Sequence, residues 1–452
     1  MNIIVVGTGK IGTSIISSLV NEGHDVTAID NNPQVLEEVS NAHDVMVVCG
    51  NGVDCETLEE ANISKADLFV AITYSDELNM LSCFLARKMG AKNTIARIRN
   101  PEYNYSSLGF LKQELDLSLT INPELLVAQE ISNILKFPSA VKVESFSRRN
   151  FEMVEIKIQD DSKLDGLTLI KMRELYKANY SLCYVHRDDE VYIPDGNFQL
   201  KNGDKIGITA TVQEIQKLLK MVGVLKKKAK DVMILGGGKT SYYLAKILEH
   251  VGASVKIIEK DQKRCYELSS ELPNTVMING DGAHQDLLLE EGIENTDAFV
   301  ALTGMDEENI LISLFALMHK VPTVISKINR EELTTLAKGI GQDMFISPME
   351  ITSNILVRYA RALENSQGSN VETLYKLMDG KAEALEFNTT EGLPFFNIPL
   401  KDLTFKSNTI IAGIIRGRKI IIPSGSDAIM PKDKVIVITA GQRFNDLSDI
   451  VK

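Results

Sequence analysis

The chain opens on an unbroken apolar run, Ile3-Ile-Val-Val6, and passes at once into Gly7-Thr-Gly-Lys-Ile-Gly12. An apolar run without polar alternation is the pattern of a parallel strand buried on both faces. From Lys10 to Asn21 the period changes. Ile11, Ile15, Ile16 and Leu19 recur at helical spacing, which predicts a helix with one buried face. The strand pattern returns at residues 26–29, 46–48 and 68–72, and a fifth strand is expected to close at Arg97-Ile-Arg99. Alternation of this kind predicts an α/β fold with a Rossmann-like, doubly wound parallel sheet.

The same pattern occurs twice. Gly7-Thr8-Gly9-Lys10-Ile11-Gly12 is answered by Gly236-Gly-Gly238-Lys239-Thr240-Ser241, and Asp30 by Glu259, at one offset of 229 residues. Gly50-Asn51-Gly52 is answered by Gly280-Asp281-Gly282, and Thr73, Asp76, Glu77 and Asn79 by Thr303, Asp306, Glu307 and Asn309. Ile121-Asn-Pro123 is answered by Ile346-Ser-Pro348. The agreement runs on through Arg187, Pro194 and Gly203-Asp204-Lys205 to Arg416, Pro423 and Lys432-Asp433-Lys434. A repeat this long predicts a tandem duplication of a two-domain unit. Residues 1–138 and 231–363 are expected to form Rossmann-like nucleotide-binding domains. Residues 140–224 and 370–452 are expected to form small α+β domains. The joins are expected at residues 136–140, in the lysine-rich run 224–230, and in the turn-forming stretch 365–370.

A glycine-rich loop between a strand and a helix is the context in which G-x-G-x-x-G binds a pyrophosphate. Gly7 permits the tight turn, Gly9 lets the backbone approach a phosphate, and Gly12 lets the helix pack on the sheet. Thr8, Lys10 and Ile11 complete the loop, and the helix N-terminus offers free N–H groups. Asp30, followed by Asn31, stands where a carboxylate binds ribose hydroxyls. NAD or an adenosine nucleotide fits this carboxylate better than a 2′-phosphorylated ligand. Gly50, Asn51 and Thr73 lie near the ends of the third and fourth strands. Alternation puts Arg97 and Arg99 on one side at the carboxyl edge of the sheet, where phosphates bind. The second copy offers Gly236, Gly238, Lys239, Thr240, Glu259, Lys260, Gly280, Asp281, Thr303 and Lys327. It departs at Ser241, and it carries Lys327 and Asn329 in place of the two arginines and Asp281 in place of Asn51. The two sites are therefore expected to be unequal, the first being the more anion-selective. Lys10 and Lys239 are placed to reach a terminal phosphate or a ligand in a neighbouring copy.

Composition narrows the choice of function. The 452 residues carry a formal net charge of −12, which disfavours a nucleic-acid partner. The five cysteines are scattered and show neither zinc nor C-x-x-C spacing, as expected of free thiols in a reducing compartment. No apolar run reaches the ~20 residues of a membrane span, and the N-terminus lacks a signal-peptide pattern. A cytoplasmic protein is expected. None of the six histidines sits in a triad order or an H-E-x-x-H motif, and no catalytic or metal-ligating residue is singled out. His284, the best placed, has Asp54 as its counterpart. A nucleotide sensor is the leading reading. An NAD-dependent oxidoreductase with tandem dinucleotide-binding domains and a soluble nucleotide-storing scaffold are the alternatives.

Taken together, these motifs resemble the regulatory subunits of Trk-type potassium uptake systems, whose chains carry two regulator-of-potassium-conductance units. The resemblance covers nearly the whole chain. It implies a non-enzymatic protein that binds NAD(H) and ATP or ADP. It also implies a homo-oligomeric gating ring, a tetramer, on the inner face of the membrane beneath a membrane-embedded potassium translocation subunit. Two positions depart from that family's pattern. Asn51 replaces an acidic residue, which Asp281 keeps, and Ser241 replaces a glycine.

Overall fold

The computed structural model describes residues 1–452 apart from 104, 137–141, 147–150, 160–161, 225–228, 343, 366–370, 379–380, 390–392, 443 and 445. The joins expected near 136–140, 224–230 and 365–370 fall largely outside the described residues.

Six parallel strands open the chain: β1 (Asn2–Val6), β2 (Asp25–Asp30), β3 (Met46–Cys49), β4 (Leu68–Ala71), β5 (Thr94–Arg97) and β6 (Leu119–Ile121), in the order β3-β2-β1-β4-β5-β6. The helices between and after them are α1 (Lys10–Asn21), α2 (Pro33–Ala42), α3 (Cys55–Glu60), α4 (Asp76–Lys88), α5 (Tyr105–Glu114) and α6 (Pro123–Lys136). The two central strands are buried throughout their cores, as their unbroken apolar runs require. On α1 the buried face is Gly12, Ile15, Ile16 and Leu19, while Ile11 stays half exposed. The edge strand β3 buries only Val48.

A five-stranded antiparallel sheet follows. Its strands are β7 (Lys142–Phe146), β8 (Phe151–Lys157), β9 (Ser181–Arg187), β10 (Glu190–Tyr192) and β11 (Lys205–Thr211), in the order β10-β9-β11-β8-β7. It carries α7 (Leu169–Leu175) and α8 (Val212–Val222). The second copy repeats the parallel sheet with β12 (Asp231–Leu235), β13 (Ser254–Glu259), β14 (Thr275–Asn279), β15 (Ala298–Ala301), β16 (Thr323–Lys327) and β17 (Phe345–Ile346), again in the order 3-2-1-4-5-6. Its helices are α9 (Lys239–His250), α10 (Gln262–Glu271), α11 (Gln285–Glu290), α12 (Asp306–Met318), α13 (Glu331–Gly339) and α14 (Pro348–Asn365). The last sheet, β18 (Val371–Leu377), β19 (Ala382–Asn388), β20 (Thr409–Arg416), β21 (Lys419–Ile421) and β22 (Lys434–Ala440), is antiparallel in the order β18-β19-β22-β20-β21.

Packing pairs like with like across the repeat. The two parallel sheets form one compact unit, residues 1–132 with 229–360, and the two antiparallel sheets form another, residues 133–228 with 361–452. In the first unit, Ser14 on α1 meets Ser353 on α14 at 3.0 Å. The counterpart of Ser14 is Tyr243 on α9. Its hydroxyl donates to the Arg99 carbonyl at 2.9 Å and accepts from the Asn122 amide at 2.9 Å. In the second unit, Phe146, Phe151 and Tyr184 share one buried cluster with Tyr375, Ile415 and Ile438. The Phe146 and Tyr375 rings meet edge-on at 4.9 Å. Gly413 is required here, because a Cβ at this position would come within 2.5 Å of the Phe151 ring. The repeat motif Arg187…Asp204 is a forked ion pair with both bonds at 2.7 Å, and Arg416…Asp433 repeats it at 2.9 and 2.8 Å. Both aspartates are fully buried, so these motifs brace each small domain.

Candidate functional site

The first glycine loop leaves β1 with Gly7 at φ +96°, in the left-handed region that glycine reaches without strain. A Cβ there would also crowd the Ile72–Thr73 backbone at 3.0–3.1 Å. At Gly12 a Cβ would fall 1.9 Å from the Gly7 carbonyl oxygen, so the close approach of α1 depends on its absence. Ser241 fills the same position in the second copy and is fully buried. Its hydroxyl donates to the Gly236 carbonyl, the counterpart of the Gly7 one, and α9 still starts at Lys239. Gly9 and Gly238 cap their helices without any side-chain hydrogen bond. The first-turn N–H groups thus lack a side-chain acceptor at each helix start.

The strand-end carboxylates hold the loops. Asp30 Oδ2 accepts from the Thr8 N–H at 2.7 Å and the Thr8 hydroxyl at 2.9 Å, and Oδ1 accepts from Asn32 N–H at 3.0 Å. Glu259, one carbon longer, accepts from Gly237 N–H at 2.6 Å and Asp261 N–H at 2.8 Å. Each carboxylate sits between its glycine loop and the turn after its strand, and each oxygen has lone-pair capacity beyond these bonds. Asn31 and Lys260, the next residues, are exposed.

Around the first loop lies a cleft of about 480 Å³. Its wall includes Gly7, Gly9, Lys10, Ile11, Gly12, Asp30, Asn31, Gly50, Asn51, Thr73, Arg97 and Arg99. Twelve of the thirteen candidate ligand residues named in the first copy from sequence are therefore gathered on one cavity. The thirteenth, Thr8, is buried behind it and bound to Asp30. Tyr74 and Leu78 also face the cleft, as do Asn329 and Met349 from the second copy. Asn329, expected at the second site by alignment with Arg99, thus stands on the wall of the first. Its side-chain amide donates to Asp306 at 2.8 Å.

Residues without ligand-binding character set the strand ends. Asn79, fully buried, accepts from the Thr73 N–H and hydroxyl at 2.8 and 2.7 Å and donates to the Arg97 carbonyl at 2.9 Å. Asn309 repeats this with Thr303 and the Lys327 carbonyl, at 2.9, 2.8 and 2.9 Å. Asp76 takes the Arg99 and Asn100 N–H groups, and Asp306 those of Asn329 and Arg330. The repeat displayed these residues in the sequence; their role as braces required the contacts.

The cations of the two copies differ in setting. Arg97 Nη2 donates to Glu124 at 3.2 Å, and burial lowers its pKa while Glu124 raises it. Arg99 lies 3.5 Å from Asp76 and 3.9 Å from Glu124, and it donates to the Tyr74 carbonyl. Lys327 is half-buried and donates to the Leu302 carbonyl at 3.3 Å; desolvation pushes its pKa down against the pull of Asp306 and Glu124. Asn51 and Asp281 play one local role, each accepting from the N–H two residues on, at 3.3 and 3.0 Å. Gly280 lets Leu287 approach, since a Cβ there would lie 2.5 Å from it. Near the second loop, Arg264 donates through Nε to the Gly237 carbonyl at 2.9 Å and pairs with Glu267 at 3.0 Å. Its counterpart in the first copy is Val35. Among the described residues no group of His, Cys, Asp and Glu side chains is arranged to hold a metal ion, and no helix is long and apolar enough to cross a membrane.

This geometry agrees with what the chain is similar to. The TrkA-N domain model matches residues 3–114 and 232–348, and the TrkA-C domain model matches residues 153–223 and 384–452. A Trk system potassium uptake protein TrkA homolog from Archaeoglobus fulgidus is 32% identical over 455 aligned positions, covering 100% of both chains. The Trk system potassium uptake protein TrkA of Haemophilus influenzae is 31% identical, covering 98% of this chain and 96% of that relative. Among solved structures, the GsuK channel aligns over 97% of this chain and 77% of its own with a TM-score of 0.64 at 17% identity. The GsuK channel bound to NAD aligns over the same shares with a TM-score of 0.63, also at 17% identity.

Proposed function

The chain belongs to the TrkA family of Trk potassium uptake proteins, and from that premise we propose that it is a non-enzymatic, nucleotide-sensing regulatory subunit of a potassium uptake system. Its partner is a membrane-embedded potassium translocation subunit. The chain sits against that partner on the cytoplasmic face, as a homo-oligomeric ring of four copies. The carrying observation is the first cleft: a glycine loop, a helix start without a side-chain cap, a strand-end carboxylate and two arginines around one cavity. The ligands proposed are NAD(H), ADP and ATP.

The residues fit such a ligand. Gly9 and the first turn of α1 offer N–H groups to a pyrophosphate, and Asp30 offers its spare lone pairs to ribose hydroxyls. Arg97, Arg99 and Lys10 supply positive charge on the same wall. The second loop offers the same backbone with Glu259, Lys239 and Lys327. Because α1 and α9 each pack on the other copy, a ligand at either loop touches the seam between the two parallel sheets. A ligand acts on the ring only through its affinity difference between two arrangements of that seam.

The test is rubidium flux through vesicles holding the Trk membrane subunit with this chain bound. Flux should change on adding NADH, ADP or ATP. That response should be lost in the chain carrying both Asp30→Ala and Glu259→Ala. Flux indifferent to all three nucleotides contradicts the proposal. So does sustained nicotinamide reduction by the purified chain with alcohols, hydroxy acids or amino acids.

A further inference from the structure

We infer that Tyr243, on α9 of the second copy, is a positioning residue for the first cleft: its hydroxyl fixes the backbone of Arg99 and so the aim of the guanidinium that meets a ligand's phosphate. This rests on the nucleotide-binding reading of the first cleft.

The hydrogen bonds run in one direction. The Leu125 N–H donates to Asn122 Oδ1 at 3.0 Å, which turns the Asn122 amide nitrogen outward. That nitrogen donates to the Tyr243 oxygen at 2.9 Å. The phenol proton is left for the Arg99 carbonyl, which accepts it at 2.9 Å. Burial pushes the Tyr243 pKa up to about 12, so the proton is in place at neutral pH. The Tyr243 ring is itself seated edge-on against Tyr242, with centroids 5.4 Å apart.

Arg99 is thereby tied from both copies. Its N–H donates to Asp76 of its own copy at 2.8 Å, and its carbonyl accepts from Tyr243 of the other. With both polar groups of its backbone held, the side chain leaves from a fixed point on the wall of the cleft. A cation held in place before the ligand arrives is not ordered at the ligand's expense. A second cavity, of about 480 Å³, places the same parts together independently of these bonds. Asn100, Pro101 and Glu102, the residues after Arg99, line it with Lys239 and Tyr242 of α9. The repeat does not return the tie. Ser14, the counterpart of Tyr243, meets Ser353 on α14 instead, and the counterpart of Arg99 is Asn329. The tyrosine therefore stands opposite the copy that carries the arginine.

The test is calorimetric titration of ADP and of adenosine, without divalent cations, into the full chain carrying Glu259→Ala, which leaves the first cleft to bind. Adding Tyr243→Phe keeps the ring and removes the hydroxyl. ADP should then bind roughly 5-fold more weakly, while adenosine, with no phosphate for Arg99, should stay within about twofold. In an Arg99→Gln background, Tyr243→Phe should bring no further loss of ADP affinity, because the residue it positions is gone. Ser353→Ala removes the other bond of the seam and should leave the ratio of ADP to adenosine affinity within about twofold of its starting value. Equal weakening of ADP and adenosine by Tyr243→Phe, or no weakening of either, overturns the positioning role and leaves the cleft standing. So does a further loss in the Arg99→Gln background, or a fall of the ratio in Ser353→Ala as large as in Tyr243→Phe. No ADP binding before Tyr243 is changed overturns the cleft and the positioning role together.

Discussion

At the first loop the strand-end carboxylate is Asp30, bound to Thr8; at the second it is Glu259, bound to Gly237. Gly237 is the counterpart of Thr8, so the longer carboxylate holds the same loop position and both loops are secured alike. Other pairs keep both side chain and partner: Asn79 with Asn309, Asp76 with Asp306, and the forks Arg187–Asp204 and Arg416–Asp433. Several positions on the wall of the first cleft differ from their counterparts: Arg97 against Lys327, Asn51 against Asp281, and Met349 against Glu124. Residues that satisfy buried backbone groups are common to the two copies, because their loss leaves polar groups unpaired in either one. On the first cleft Gly7, Gly9, Gly50, Gly52, Lys10 and Thr73 recur in the second copy, while Arg97, Arg99 and Asn51 have diverged.

The scaffold should be the costliest part to break. Asn79→Ala and Asn309→Ala each leave a part-buried carbonyl and a part-buried N–H without their partner, and each should cost about 3 kcal/mol in urea unfolding of the full chain. A loss at one position and none at the other breaks the claim of a shared brace. Next come the carboxylates. Asp30→Ala should weaken nucleotide binding at the first cleft by ~1.5–3 kcal/mol, and Glu259→Ala should do the same at the second alone. Calorimetry that finds both sites intact in the double variant removes the clefts from the account.

The third glycine position sharpens the comparison further. Gly12→Ser puts a Cβ against a backbone oxygen and should cost roughly 1–3 kcal/mol. Ser241→Gly should cost less than that, since only the hydroxyl bond to Gly236 is lost. Equal losses, read from thermal midpoints, would show that the two helix starts are seated alike.

The smallest effect concerns a pair of glutamates in the small domains. Glu383 pairs with Arg361 at 3.2 Å, while its counterpart Glu152 is half buried with an oxygen that makes no hydrogen bond. Burial raises the Glu152 pKa above 4.5, and Lys136 opposes that only in part. A carboxyl whose native pKa is raised favours the folded state when protonated. Its contribution is therefore lost as pH rises from 4.5 through the native value. Glu152→Gln should stabilise the chain at pH 7 by less than ~1 kcal/mol and leave it unchanged near pH 4. A gain that grows toward acid pH contradicts this sign.

Much of this architecture was legible in the sequence. Unbroken apolar runs marked the parallel strands, and the change to helical period at Lys10 marked α1 at both its ends. The repeat displayed Asn79 and Asp76 as well as the glycines. Ser241 could be read as tolerable from its size, but its bond to Gly236 could not be read. The pairing of like domains left no periodic signal, because it rests on single contacts such as Tyr243 with Arg99 and Thr209 with Ala412, 144 and 203 residues apart. For the same reason Arg97 and Arg99 read as free cations, although Glu124 and Asp76 already answer them. Asn329, placed by alignment in its own copy, also stands on the wall of the first cleft, because packing at the seam brings it there.

The inequality of the clefts is tested most directly by titrating adenosine, ADP and ATP, without Mg²⁺, into full-length Glu259→Ala and Asp30→Ala chains, each with one cleft intact. The first cleft carries Arg97, Arg99 and neutral Asn51 on its wall, and the second copy supplies Lys327 and acidic Asp281. Each added phosphate should therefore favour the first cleft, and the gap should reach about 10-fold for ATP, at on the order of 1 kcal/mol per partly exposed charge contact. An affinity ratio that stays flat from adenosine to ATP, or a steeper rise with charge at the second cleft, would contradict the account.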